Sequence, residues 1–395
     1  MSLFSDKFTF FKVFIYFIFV FSGSLKWLPI PMDLTLLSLL LCFVVMISEL
    51  RMLISLQVKD RLIVILMLVL SFIFLVSNFY SVSTIYAQSK SLAVVLNIFT
   101  VIYPIIVFKK SIFSELKLLM YLIGGLMIVG LFYLYFNNMF IIFHDSELLV
   151  DKVPTYLVIG IMLCACFIFS LASKLTWYVA VYRLSILFLL FQLGGRGPII
   201  NLILSLIIFF ALNLKNFKVS YKTVFTTGTL FLTILIFGEN IYTFAFQNVD
   251  FQRFNIFQVY NTDASASARV DFLTVGIQSI YNHPLFGLGI GSSGLILNNF
   301  DDVYYPHNLF IEAMMELGIL GGSIYLISYL LFFIKNFSIV KNYRELLILF
   351  SVVLLFFLED NKSNSFDSWR CSIIWIAIFI SEKRFKLKTT QQSNL

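Results

Sequence analysis

Apolar residues fill most of the chain, in runs that are separated by short polar connections. A helix of roughly 20 apolar residues crosses the ~30 Å hydrocarbon core of a bilayer, and runs of about this length recur from end to end. The pattern predicts an all-α, polytopic integral membrane protein of about 12 transmembrane helices. The expected spans are at about residues 8–25, 33–50, 62–80, 91–108, 118–143, 153–172, 176–193, 198–214, 223–238, 308–334, 346–358 and 369–381.

The longest polar interval, residues 239–306, lies between the ninth and tenth of these runs. We expect it to form a large loop inside a single membrane domain of residues 1–395, because no separate soluble domain interrupts the apolar pattern. The Lys-, Gln- and Ser-rich residues 382–395 predict a short disordered tail.

Composition agrees with this prediction, since 60% of the residues are hydrophobic and only 12% are charged. Soluble domains are about half apolar and roughly a quarter charged. The first run lacks a small-residue cleavage site and leads into further spans, so we expect a span there and not a signal peptide. Cysteines lie in or beside apolar runs, where we expect packing and neither a metal site nor a disulfide framework. They are Cys42, Cys164, Cys166 and Cys371.

The formal charge of +7 does not point to a nucleic-acid partner, because most Lys and Arg residues lie in short connections between apolar runs. Basic connections orient a chain with those connections on the cytoplasmic side. With both termini inside, the basic clusters fall inside and the loop of residues 239–306 faces outward. We therefore expect a multi-pass protein of the cytoplasmic membrane, with its unusual residues on the outer face.

Arg196 is one of the few basic residues expected on the outer side. It lies in the segment Gly194–Pro198 (GGRGP), between two apolar runs. Glycine ends helices and proline suits the first helical position, so Arg196 should lie beside the N-terminus of a helix. Free N–H groups and the positive dipole end make such a place an anion site. The alternative is an arginine that merely extends to the lipid headgroups.

His307 is placed similarly, between Pro306 and Asn308. Asn308 is a good N-cap for the long tenth span, and the helix dipole should keep a neighbouring imidazole neutral and able to accept a proton. Asn308, Glu312 and Glu316 share one helix face, which should look into a cavity because carboxylates are costly toward lipid. The alternative is a surface histidine above a structural polar stripe.

The expected loop carries two isolated arginines, Arg253 and Arg269, and a glycine-rich segment, His283–Gly291 (HPLFGLGIG). No Lys-Ser or Lys-Thr pair follows these glycines, so they do not form a nucleotide-binding loop. We expect them to make tight turns at the membrane surface.

Taken in order, these motifs resemble the superfamily of O-antigen polymerases and O-antigen ligases. The order is an Arg-Gly step that opens a span, a large outer loop with an arginine, the HPLFGLG turn, and Pro-His-Asn before a helix with Glu-Leu-Gly-x-x-Gly. The resemblance covers residues 194–322. It implies a metal-independent, inverting glycosyltransferase without a cofactor, which uses a glycan donor on undecaprenyl pyrophosphate.

The resemblance also implies roles for individual residues. Arg196 and Arg269 correspond to pyrophosphate ligands, and His307 to the group near the attacking hydroxyl. Arg253, Asn308 and Glu316 are further candidates for substrate binding, and Glu316 is the alternative base.

A polymerase, which joins one lipid-linked repeat unit to another, is the favoured reading because of the 47 phenylalanines and the divergent flanks. The alternatives are a ligase that transfers the glycan to lipid A core, and a lipid-linked oligosaccharide flippase. A flippase would place charges along a path through the membrane. The expected partners are the lipid-linked donor and acceptor, membrane lipid and a chain-length regulator.

Overall fold

A computed structural model of the chain describes residues 7–22, 33–49, 58–137, 156–193, 196–213 and 264–393. Across these ranges the chain forms thirteen α-helices and no β-strand, so the all-α prediction is confirmed for them. The helices are α1 (Lys7–Phe21), α2 (Leu34–Glu49), α3 (Val58–Ser77), α4 (Ile85–Val107), α5 (Phe113–Phe136), α6 (Tyr156–Ser170), α7 (Trp177–Gln192), α8 (Arg196–Asn213), α9 (Ala264–Asn282), α10 (Ser292–Asn298), α11 (Leu309–Val340), α12 (Arg344–Asp360) and α13 (Arg370–Ser393).

Eleven of the predicted spans overlap described helices, and the ninth, residues 223–238, lies outside the described residues. Within the described ranges, four helices are long and apolar enough to cross a membrane, and other apolar helices are shorter. This indicates an integral membrane protein. The four are Asp60–Ser77, Ile85–Val107, Phe113–Phe136 and Leu309–Val340.

Basic side chains gather at one end of the bundle, which we call the basic end. Lys383 on α13 donates to Asp60 at the start of α3 (2.7 Å) and to Asn336 near the end of α11 (2.8 Å). Glu49 at the end of α2 binds both Lys12 and Lys109. Three of the basic residues that the sequence pattern places on the cytoplasmic side thus lie together, and the orientation itself stays a prediction.

The predicted disordered tail is wrong for residues 382–393, because α13 continues through Ser393. Glu382 accepts hydrogen bonds from Ser111 Oγ (2.5 Å) and from the backbone N–H of Ile112 (3.0 Å). Arg384 donates to the carbonyl of Phe108 (2.6 Å). These charged residues are buried against the connection between α4 and α5, so the helix continues because its polar groups find partners there.

The opposite end of the bundle, which we call the capped end, is organised by residues of the predicted outer loop. Asp301 accepts hydrogen bonds from Ser83 Oγ (2.6 Å) and from the N–H groups of Thr84 and Ile85 (both 2.8 Å) at the start of α4. Burial acts to raise the pKa of Asp301, but these bonds outweigh it and hold the pKa well below its usual range. The described part of the loop therefore includes two helices, α9 and α10, and packs onto the membrane helices.

Inside the capped end, a lysine lies between two glutamates. Lys90 on α4 binds Glu312 and Glu316 on α11, and all three side chains are fully buried. Glu312 also accepts a hydrogen bond from the backbone N–H of Phe366 (3.1 Å). The two carboxylates share one helix face, as predicted, but Lys90 occupies the space where we expected a cavity.

We predict that Lys90→Met destabilises the protein by about 3–5 kcal/mol, because it leaves two carboxylates buried without their cation. The measurement is the thermal unfolding midpoint of the purified protein in detergent. Adding Glu312→Gln and Glu316→Gln should restore part of the loss, and Lys341→Met, at an exposed lysine, is the matched control. An unchanged midpoint for Lys90→Met would contradict the importance of this cluster.

Candidate functional site

Four chain segments meet at the capped end, where they bring together three of the predicted site residues, Arg269, His307 and Asn308. The segments are the first turn of α8, helix α9, residues 305–309 and the connection 361–363 that follows α12. Gly276 allows α9 to approach α11 closely, since a Cβ there would lie 3.0 Å from Ile311 and from Met315. Asn201 on α8 donates to Glu359 on α12 (2.7 Å). The helices thus hold the four segments beside one another.

His307 lies at the start of α11 in a left-handed backbone conformation, with φ of 56°. This conformation is uncommon for a residue other than glycine and marks a position that its surroundings enforce. Asn308 caps the helix by accepting a hydrogen bond from the N–H of Ile311 (3.0 Å), as predicted. Its side-chain amide also donates to the carbonyl of Asn361 (2.8 Å), which fixes the backbone beside the histidine.

The imidazole of His307 lies between aromatic rings. Its centroid is 4.7 Å from that of Tyr305 and 6.2 Å from that of Phe272 on α9. Its Nδ1 atom is 3.4 Å from the carbonyl oxygen of Ser363. A proton on Nδ1 would be held by that carbonyl, which leaves Nε2 as the acceptor.

Arg269 lies three residues before Phe272, on the same face of α9, and the structure therefore brings it toward His307. Burial lowers the pKa of His307 below its ordinary value of 6.5, the Ser363 carbonyl opposes this, and the positive charge of Arg269 lowers it further. Burial and the Arg269 charge therefore favour the neutral imidazole, the state that the sequence predicted on other grounds, from the helix dipole.

The predicted helix after the GGRGP segment is present, and its first residue is Arg196, two positions earlier than expected. Pro198 still lies in the first turn, where its missing N–H is tolerated, and it packs against Gly160 of α6. The side chain of Arg196 and the whole of Arg253 lie outside the described residues.

Lys362 was not selected from the sequence, and it lies at the same place. Its Nζ atom lies against Gly197 in the first turn of α8, only 1.4 Å from where a Cβ of residue 197 would be. The available signal was that Lys362 is one of the few basic residues expected on the outer side.

Glu316, which was predicted to bind substrate, is enclosed by the bundle. Its side chain is fully buried and bound to Lys90 (2.7 Å). Glu316 is thus held inside the bundle by a residue of α4, and its role in substrate binding stays a prediction. Among the described residues no group of three or more His, Cys, Asp and Glu side chains is arranged to hold a metal ion.

The glycine-rich segment His283–Gly291 turns the chain and also hydrogen-bonds to helix α11. Helix α11 is kinked at Gly318, which has φ of 66° and ψ of −165°. The carbonyls of Met315 and Glu316, which an unbroken helix would use internally, instead accept hydrogen bonds from the N–H groups of Leu288 (3.1 Å) and Gly289 (2.9 Å). The HPLFGLG turn therefore completes the hydrogen bonding of the kinked helix.

A comparison with known proteins agrees with the family resemblance that the sequence motifs indicated. A sequence model of the O-antigen ligase family matches residues 181–326. The match extends from α7 into α11 and includes Arg196, Arg269, the glycine-rich turn and His307. No curated protein matches the chain significantly.

The resemblance to the superfamily of O-antigen polymerases and ligases is thereby confirmed. Members of the matched family are enzymes of the glycosyltransferase type. The match does not separate a polymerase from a ligase. The matched residues do not include Lys362, nor Lys90, which binds the two buried glutamates.

We predict that Gly287→Ala destabilises the turn by more than about 1–2 kcal/mol, the usual cost of a left-handed conformation with a Cβ. Gly287 has φ of 62°, and its Cβ would lie 2.5 Å from the backbone of Glu316 and Met315. Gly125→Ala on α5 is the matched control, since a Cβ there meets nothing within 4 Å. Thermal unfolding compares the two, and equal midpoints would contradict the docking of the turn.

Proposed function

We propose that the protein is an O-antigen or related surface-polysaccharide polymerase. It joins oligosaccharide repeat units carried on undecaprenyl pyrophosphate, at the outer face of the cytoplasmic membrane. The observation that carries the proposal is the meeting of Arg269, neutral His307 and the N-terminus of α8 at one end of the bundle, inside the region that matches the O-antigen ligase family.

The residues supply the groups that such a transfer needs. The acceptor hydroxyl attacks the anomeric carbon of the donor glycan and gives its proton to His307 Nε2. The bond between that carbon and the phosphate oxygen breaks, and the lipid pyrophosphate leaves with the electron pair. Arg269, Arg196 and the start of α8 stabilise the charge on the leaving group as preorganised donors. Neutral histidine suits a general base because its pKa lies close to the working pH.

The reaction has two lipid-linked substrates, a donor and an acceptor. The helix bundle holds their reacting ends together, and this proximity contributes to the rate. A chain-length regulator is the expected protein partner. The many phenylalanines and the divergent flanks favour polymerase, whereas the name of the matched family favours a ligase that transfers the glycan to lipid A core.

Deletion of the gene distinguishes these functions. A polymerase deletion should leave surface glycan of a single repeat unit. Loss of the glycan from lipid A with repeat-unit polymer still made would indicate the ligase, and internal accumulation of unflipped lipid-linked units would indicate a flippase. The latter two outcomes would each overturn the polymerase proposal.

In the deletion strain, we predict that complementation with His307→Ala lowers polymer formation by ~10²–10⁴-fold, the usual value of general-base help. Lipid-linked repeat units should accumulate. Because the folded pKa of His307 is lowered, wild-type activity should fall only when the pH drops below ~6.5, the ordinary histidine value. His307→Gln should remove this acidic limb from its residual activity. Near-normal turnover in His307→Ala would exclude the histidine as base.

Arg269→Lys keeps the charge and loses the planar fork. We expect transfer to fall roughly 10-fold or more, since one hydrogen bond to a charged group is worth about 1.5–3 kcal/mol. Arg196→Lys should behave alike. Arg344→Lys, at the basic end of α12, is the matched control, and membrane levels of each variant are measured by immunoblot. Full activity of the Arg196→Lys, Arg269→Lys double variant would remove both from the site.

A further inference from the structure

The connection after α12 is built into the candidate site at three successive residues. The carbonyl of Asn361 accepts from the side chain of Asn308 (2.8 Å), and the carbonyl of Ser363 lies 3.4 Å from His307 Nδ1. Between them, Lys362 extends to the first turn of α8 and contacts Gly197. Residues 361–363 therefore join the histidine to the start of α8.

The Lys362 ammonium lacks a good partner in the described part of the chain. Its Nζ atom is buried and donates no hydrogen bond to any of the described atoms. The nearest carboxylate oxygen, Glu359 Oε2, is 3.7 Å away and is already bound by Asn201 at 2.7 Å. A buried ammonium in this state lacks the hydrogen bonds that would offset its desolvation.

The surroundings of the ammonium are also positive. The first turn of α8 presents the positive end of its helix dipole. Burial lowers the pKa of Lys362, Glu359 opposes this, and the charge of Arg269 lowers it further. Three sources of positive charge thus approach one another from α8, α9 and the connection 361–363. Glu359 is the one carboxylate described beside them, and a bound anion with free oxygens would stabilise this arrangement further.

We propose that Lys362 is a further ligand of the donor pyrophosphate. The inference rests on the proposed function. It adds to that function a cation from a part of the chain that the family match does not include. Lysine supplies a compact charge with three donors, which complements the planar fork of an arginine.

The contact between Gly197 and Lys362 offers a second way to test the position of the lysine. A Cβ at residue 197 would overlap the lysine amine, and the flexible lysine side chain would move aside. Gly197→Ala therefore displaces the ammonium while it leaves the charge of the protein unchanged. It tests the position of the amine separately from its presence.

The test is direct binding of two probes, inorganic pyrophosphate and farnesyl pyrophosphate, to the purified full-length protein in detergent and metal-free buffer. Isothermal titration gives the Kd. Lys362→Ala should raise the Kd on the order of 10-fold, as for the loss of one charge-assisted hydrogen bond. Lys362→Arg should raise it less, and Gly197→Ala should give an intermediate value. The control Lys341→Ala, at an exposed position, should bind as the wild type does.

The outcomes separate the two proposals. If the wild type binds the probes and Lys362→Ala and Gly197→Ala bind equally well, the inference is overturned and the proposed function stands. A lower unfolding temperature of Lys362→Ala with unchanged Kd would likewise overturn it, because the lysine would then be structural. If the wild type binds neither probe, the lipid-pyrophosphate donor and the role of Lys362 are both refuted.

Discussion

The capped end depends on the ion pairs of one buried lysine. An ammonium or a carboxylate inside an apolar bundle is tolerated only when its partner stays in place, since an unpaired buried charge costs several kcal/mol. Lys90 and its two glutamates therefore hold α4 and α11 in a single register. Each of these helices begins at the capped end, and each is capped there by an acidic or amide side chain, Asp301 or Asn308. The register of the two helices consequently fixes the position of His307 along the axis of the bundle.

Two motifs that are separate in the sequence form one structural unit. The HPLFGLG turn supplies the N–H groups that the kinked segment Met315–Gly318 lacks, and Ile319 in turn donates to the carbonyl of Pro284 (2.7 Å). The turn is held from its other side by Ser81, whose hydroxyl donates to the carbonyl of Ile290 (2.6 Å). Glycines are needed in the segment His283–Gly291 because the two backbones are in direct contact and because its three glycines adopt positive φ. This unit fixes the direction of the first turns of α11 relative to the part of the helix that follows the kink.

Much of this fold could be predicted from the sequence, because apolar runs and capping residues act locally. The apolar helices, the Asn308 cap and the helix that begins near Arg196 follow from local patterns in the sequence. The buried cluster was predicted only in part: the spacing of Glu312 and Glu316 gave their shared face, but Lys90 lies 222 positions away from Glu312. The tail prediction was wrong for the same reason, since the partners of Glu382 and Arg384 lie far back in the chain, in the connection between α4 and α5. Lys362 becomes informative only when its contact with Gly197 is known.

The contribution of residues 361–363 has a consequence for biogenesis. The other described parts of the site precede α12 in the chain, in the order α8, α9, glycine-rich turn and start of α11. The glycine-rich turn is therefore synthesised before the kinked helix α11. Its N–H groups are present in the chain by the time the carbonyls of Met315 and Glu316 need hydrogen-bond donors. The contacts of Asn361 and Ser363 with the His307–Asn308 segment form last, after α12 has returned to the capped end. The histidine environment is therefore complete only after the chain has been synthesised through residue 363.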